Sequence, residues 1–201
     1  MFNTNKIMKN ISKTVITSLT VILLTGNLLV PVAIGAGSAS LNGFNSDQPV
    51  TQISNSTSNP GCAECWTSSV NNVDDGDIVS VLVYYHNTGP DTAENVRVRV
   101  QQTNITPTTV TFAGRIWADN AGSKTQTVSA TVTSGDELES VEFVDASWYP
   151  NRSVSNPTSI SNVVIQAAGY NIGNVTYSWD TTGTVVVRYR VNSNGDGGNG
   201  G

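Results

Sequence analysis

The chain has 201 residues, 38% of them hydrophobic, with 15 acidic against 10 basic residues and a net charge of −5. That balance excludes the phosphate-neutralising surface on which nucleic-acid binding rests, and it makes an anionic membrane a poor partner. Two cysteines and a single histidine leave no complete four-ligand zinc site, and the length allows one domain with a sizeable core.

Lys6, Lys9 and Lys13 form a positive leader, followed by an apolar segment over residues 15–34 and then by Gly35, Ala36, Gly37, Ser38 and Ala39. This is the layout of a signal peptide, with the cut expected after Ala39 and Ala36 as the second choice. Residues 1–39 are thus expected to be removed, leaving a secreted or cell-surface protein without a membrane span. The alternative is an uncleaved N-terminal anchor, because the apolar stretch is nearly long enough to cross a bilayer. Gly26 and Asn27 interrupt it, and the small-residue tail favours cleavage. Loss of the leader takes three basic residues and no acid, so seven basic residues face 15 acidic ones, a net of −8 that serves solubility.

Residues 40–61 are rich in Ser, Asn, Thr, Gln and Gly without periodicity, and read as a polar spacer. Cys62 and Cys65 sit together in NPGCAECW. A redox motif would need a βαβ setting that the chain lacks, whereas an exported chain favours a local disulfide. Its short loop contributes about 2 kcal/mol at best and would pin the entry to the first strand. A β-sandwich domain is expected over residues 62–191, its first strand over 66–73. Asp74-Asp75-Gly76-Asp77 ends that strand in a turn. Residues 78–86 place Val79, Val81, Val83 and Tyr85 on one face and Ile78, Leu82 and Tyr84 on the other. A strand apolar on both sides belongs near the middle of a sheet. Turn formers fill 87–92, and residues 95–100 then send Val96, Val98 and Val100 one way and Asn95, Arg97 and Arg99 the other. Together these read as a hairpin with one wet strand.

Residues 108–117 form the next expected strand, with a bulge at Gly114. Residues 125–133 follow, with Val128, Ala130 and Val132 on one face. In 138–149, Val141, Phe143 and Asp145 alternate with Glu142, Val144, Ala146 and Trp148 until Pro150 ends the strand. A polar loop is expected over 151–159, then short strands at 163–165 and 175–179. The closing strand, 184–191, points Val185, Val187, Tyr189 and Val191 inward and Val186, Arg188 and Arg190 outward. Eight or nine short strands with regular turns predict an all-β antiparallel sandwich. Residues 192–201 read as a Gly/Asn-rich flexible tail.

Gly76-Asp77, the strand over 78–85, Asn87-Thr88-Gly89 and Ala93-Glu94-Asn95-Val96 resemble the conserved repeat domain of bacterial and archaeal surface proteins, domain of unknown function 11. The closing GTVVVRYRV, residues 183–191, resembles that family's last strand. The likeness is close over residues 76–100 and loose elsewhere. Where the family has Asp-x-Leu-Pro after the second strand, this chain has Arg99-Val100-Gln101-Gln102. The resemblance implies an immunoglobulin-like sandwich in a surface or secreted protein, non-catalytic, with no catalytic residue and no cofactor to transfer.

Chemistry beyond the fold has several candidates. Asp74, Asp75 and Asp77, beside Asn71 and Asn72, supply oxygens of the kind calcium takes, but with Gly76 as the loop glycine Val73 falls at a ligand position. A solvated turn, with Asp77 accepting backbone donors, is the expected reading, and no metal is expected. Glu137, Glu139, Glu142 and Asp145 are read as edge protection rather than as a glycosidase pair. His86 is read as packing or turn hydrogen bonding, since no G-x-S-x-G elbow exists in the chain. No catalytic residue is expected. Arg97, Arg99, Arg188 and Arg190 form two outward rows that would join into a basic stripe for an anionic glycan if their strands shared a sheet, and otherwise pair with acids across strands. Trp66, Trp117, Trp148 and Trp179, with Tyr149 and Tyr170, are core aromatics or sugar-stacking platforms. Trp148-Tyr149-Pro150 is the best placed for the second role. A Lys–Asn isopeptide bond is rejected, because Lys124 lies in a polar turn segment. The sequence thus predicts a structural or adhesive surface module, with surface proteins or polysaccharide as partners, and a carbohydrate-binding module as the alternative.

Overall fold

A computed structural model describes residues 39–62, 65–152 and 156–194. The expected leader up to Ser38, and the tail from 195 onward, lie outside the described residues. Ala39 is buried in the core, so of the two expected cuts only the one after Ala36 keeps it.

Among the described residues ten strands form two facing five-stranded sheets. In chain order they are β1 (Thr51–Asn55), β2 (Ser69–Val73), β3 (Ile78–Tyr85), β4 (Ala93–Ile105), β5 (Thr109–Ala118), β6 (Ala121–Val132), β7 (Glu137–Tyr149), β8 (Thr158–Ile160), β9 (Tyr170–Val175) and β10 (Gly183–Asn194). The first sheet runs β1-β3-β10-β7-β8 and the second β2-β6-β5-β4-β9. All neighbours are antiparallel except β2 and β6, which run parallel.

As expected, β3 lies inside its sheet, between β1 and β10, with seven of its eight residues buried. Its inner face (Val79, Val81, Val83, Tyr85) joins Val185, Val187, Tyr189 and Val191 of β10 against Val96, Val98 and Val100 of β4 and Val110, Phe112 and Ile116 of β5. The Phe112 and Tyr189 rings meet across the sheets at 4.6 Å. The outer face of β3 is also covered. Leu82 and Tyr84, with Val186 of β10, are closed over by Trp66 and Tyr149. Trp66 comes from the Cys62–Cys65 segment, which is disulfide-bonded as expected, and Gln52 Nε2 donates to the Trp66 carbonyl at 3.2 Å. The disulfide therefore braces a flap over the first sheet.

Several expectations are corrected. Residues 40–61 are not a free spacer. Leu41 is buried, and β1 pairs with β3 along its whole length. Composition hid this strand because Thr51, Ser54 and Asn55 are buried polar residues. The first expected strand is shorter, since Trp66 lies outside β2. The 78–100 unit is strand, turn, strand, but not a hairpin: β3 and β4 belong to different sheets, and the turn is a corner between them. There is no bulge at Gly114, which pairs in register with Val100 and Gln126. Gly114 instead faces the first sheet, where a Cβ would collide with Thr51 Oγ1 and come within 2.7 Å of Val83 Cγ2. One bulge lies in β7, where the pairing Arg188↔Asp145 is followed by Tyr189↔Phe143. That extra residue leaves Val144 exposed and switches the inward positions from Val141 and Phe143 to Ala146 and Trp148. Residues 162–165 form a 3-10 turn rather than a strand. The strand expected at 175–179 ends at Val175, and Trp179 opens another 3-10 turn. The expected loop at 151–159 contains the start of β8, and the closing strand runs on to Asn194.

Candidate functional site

Asn87-Thr88-Gly89 and the residues around them build the corner between the sheets. Asn87 is wholly buried and its amide is fully used. Its Oδ1 accepts from the Ser40 and Gly89 amides, and its Nδ2 donates to the Asp91 and Val175 carbonyls. A neutral amide that meets donors and acceptors from the segments at Ser40, Gly89–Asp91 and Val175 welds the three together, since leaving any of these groups unpaired would be costly. Thr88 Oγ1 accepts from the Gly43 amide and donates to the Ser40 carbonyl. Asn42, at φ +45°, lies along the end of β3, its side chain accepting from the His86 amide and donating to the Tyr84 carbonyl. Further on, Asn95, at φ +49°, forms an irregularity opposite β9 and donates to Asp119 at 2.8 Å.

On this welded corner sits a group of rings. His86 is buried, and its Nδ1 lies 2.7 Å from Asp47 Oδ1. Asp47 also accepts from the Tyr84 hydroxyl at 3.3 Å and from the Phe44 amide at 2.9 Å. The His86 ring is the floor on which Trp179 rests, 4.2 Å away between centroids. Phe44 lies 5.5 Å from His86, 6.1 Å from Trp179 and 6.4 Å from Tyr177. Phe44, Tyr177 and Trp179 are 37%, 55% and 44% exposed. The Trp179 turn is held by Ser178 Oγ, which accepts from the Asp180 amide, and by Thr182 Oγ1, which donates to the Trp179 carbonyl. The product is an exposed aromatic cluster on a rigid base. Its chemistry is contact by ring faces and edges, while the histidine serves as a support under tryptophan.

The aromatics favoured from sequence lie elsewhere. Trp148 faces the core, donates from Nε1 to the Tyr85 hydroxyl at 2.9 Å and meets Tyr170 edge-on at 6.1 Å. Burial pushes the Tyr85 hydroxyl above its ordinary pKa, and the Trp148 N–H works against that shift. Tyr149 packs on the covered outer cluster. The β7 bulge is the reason, because it turns Trp148 inward. Sequence reasoning counted Trp179 among the aromatics but missed Phe44 and Tyr177. The turn residues around each were the only local signal, and the three rings meet only in space.

The four arginines do not form one stripe, because β4 and β10 lie in different sheets. Arg188 pairs at 2.6 Å with Asp145, its direct cross-strand neighbour. Arg97 pairs at 2.6 Å with Asp119, and this guanidinium, helped by the Asn95 amide, holds the Asp119 carboxyl below the usual carboxylate range. The Arg188 pair follows the cross-strand alternative, whereas Arg97, opposite Trp117, reaches into the turn between β5 and β6. Arg99 lies opposite Arg115.

The acidic turn is occupied by the fold. Asp77 accepts from the Asp74 amide at 3.1 Å and from Asn55 Nδ2 at 2.6 Å. Asp75 accepts from the Ser193 amide, and Asp74 from the Thr133 hydroxyl. Along β7, β8 pairs with Ala146–Trp148 and the Leu138 amide donates to the Pro107 carbonyl at 2.6 Å, while Glu137, Glu139, Glu142 and Asp145 lie outside the β8 pairing. Among the described residues no helix is long and apolar enough to cross a membrane.

No family model matches the chain, and no curated protein and no solved structure matches it.

Proposed function

We propose that the chain is a non-catalytic, exported module of a cell surface: an immunoglobulin-like sandwich with a structural or adhesive role. The observation that carries this reading is the exposed cluster of Phe44, Tyr177 and Trp179, held over buried His86 by a corner whose polar groups are satisfied. Exposed aromatics on a rigid base are the residues that interfaces concentrate their contact energy in. The leader-like segment and the Cys62–Cys65 bond support export. The likeness at residues 76–100 to surface-protein repeat domains supports the setting. The immunoglobulin-like reading is supported by the two-sheet architecture and by the N-terminal strands, which pair first with β3 and then with β6 of the other sheet.

The test is binding of the full chain to cell envelopes and to purified wall polysaccharide. In the triple variant Phe44→Ser, Tyr177→Ser and Trp179→Ser, binding is expected to fall at least about tenfold with the far-ultraviolet spectrum unchanged. Envelope binding that survives the triple variant, or a wild-type chain that binds neither material, would sink the adhesive reading. Exposure of Tyr177 and Trp179 also favours the second reading, a carbohydrate-binding module, which requires that soluble oligosaccharides compete for the envelope.

A further inference from the structure

We propose that the outer face of the second sheet carries an oxyanion site built on Arg99 and Arg115, which takes the carboxylate of an acidic sugar in a uronate-bearing polysaccharide. The two arginines are direct cross-strand partners on β4 and β5, on the face away from the core. Like charges set opposite each other in a ladder destabilise it. Among the described residues neither guanidinium lies within 4.0 Å of a carboxylate, while the neighbouring Arg97 takes Asp119 and the distant Arg188 takes Asp145. The Nε of Arg99 is buried without a hydrogen-bond partner. A chain of net charge −5 has ample acid to neutralise this pair and places none there. The uncompensated charge is explained if the counter-ion comes from a ligand.

The surroundings hold Arg115 in place. The Arg115 guanidinium lies over the Trp117 ring, 4.9 Å from its centroid, a cation–π contact that fixes the group while leaving its edge donors free. Trp117 in turn lies against Gly169, at φ +68°, where a Cβ would come within 2.6 Å of the ring and 2.8 Å of the Val98 carbonyl oxygen. Only glycine lets the ring lie this close to the strand. Two planar guanidinium forks present a fixed pattern of donors that matches a carboxylate. Beside them, in register, stand Ala113, Gln101 and Thr127, and Thr125 faces Arg115. The alanine lowers the surface next to the charges, and the amide and hydroxyls offer partners for sugar hydroxyls. An extended polyanion of high charge density would be repelled by the acidic remainder, whereas one uronate ring needs only this footprint. The polysaccharide source rests on the surface-module reading, and the carboxylate chemistry does not.

The test is titration of the full chain with trigalacturonate, a neutral trisaccharide and inorganic sulfate, at low and high salt, in the wild type, Arg99→Gln and Arg115→Gln. The expected result is binding of trigalacturonate alone, weakened by salt, and reduced at least about tenfold in each variant. Both variants are also expected to keep or raise the wild-type Tm, by about 1–3 °C, because a repulsion is removed. The aromatic triple variant should bind trigalacturonate as the wild type does, so failure of the adhesive cluster and failure of this site are told apart. Absence of wild-type binding, equal binding of sulfate and trigalacturonate, undiminished affinity in the variants, or a Tm lowered in both would each overturn the proposal.

Discussion

The two sheets treat their outer faces differently. On the first, Leu82, Tyr84 and Val186 are shut beneath Trp66 and Tyr149, and Arg188 has an acid as its cross-strand neighbour. On the second, β5 and β6 turn Thr109, Thr111, Thr125, Thr127 and Thr131 outward, and Arg99 faces Arg115. One face is finished as structure; the other holds charge that the fold does not neutralise. The difference arises in the β1–β2 connection. On its way between sheets it lays Trp66 over the first, and the Cys62–Cys65 bond braces it there. No described segment is laid over the second in the same way. Unmatched charge on an open face reads differently from matched charge beside a closed one.

What the two faces share is the seam between them, and breaking it has the largest expected effect. Gly114 of the second sheet abuts Thr51 and Val83 of the first. Gly114→Ala drives a methyl into both and should cost about 3 kcal/mol in chemical denaturation. The added variant Thr51→Ala, which removes the colliding hydroxyl and methyl, should recover more than half of that loss. A cost under about 1 kcal/mol for Gly114→Ala would show that the sheets sit further apart. Next in size is the closed face alone. Trp66→Ala uncovers Leu82 and Val186 and should cost about 2 kcal/mol, less than a fully buried tryptophan because its ring is half-exposed. Replacing both Cys62 and Cys65 by Ser should cost less, about 1–2 kcal/mol. Combined with Trp66→Ala it should add little, since both act on one flap. Additive losses would place the disulfide's contribution outside the flap.

The legible parts of the fold were those whose signal is local. The two-sided apolar run of β3 and the alternation of β10 can be read from residue to residue, and each landed in the middle of its sheet. The pairing of Cys62 with Cys65 needed only their spacing and the leader. Sheet membership was not local. Asn87 reads as a turn residue, but whether its turn makes a hairpin or a corner depends on Ser40 and Val175, far away in the chain. β1 was masked because its partners, not its composition, make it a strand: Asn55 is buried since Asp77 accepts its amide. Trp148 is favoured from sequence for its place at a strand end, and the extra residue at Val144, which decides which way it faces, shows only in the pairing with β10. The exposed aromatic cluster draws on two separated loops over His86 from a third segment, and Arg115 became the partner of Arg99 only through the β4–β5 register. Such sites are assembled by pairing, and pairing is the step a single sequence states least.

The smallest expected effect separates the two kinds of arginine by pH. Asp119 is held below its ordinary pKa by Arg97 and Asn95, so it favours the folded state at neutral pH. That contribution is present above the unfolded-state pKa, about 4, and is lost as pH falls through the lower folded value. Asp119→Asn should therefore lower Tm slightly at pH 7, with no difference from the wild type once the acid limb is passed. High salt should erase the difference at pH 7 as well, because the pair is exposed. Arg99 faces Arg115 rather than a carboxylate, so the Tm gain of Arg99→Gln should be the same at both ends of the same scan. A gain that appears only in acid would mean that a carboxylate of the chain already serves the pair at neutral pH, and the open face would then be as finished as the closed one.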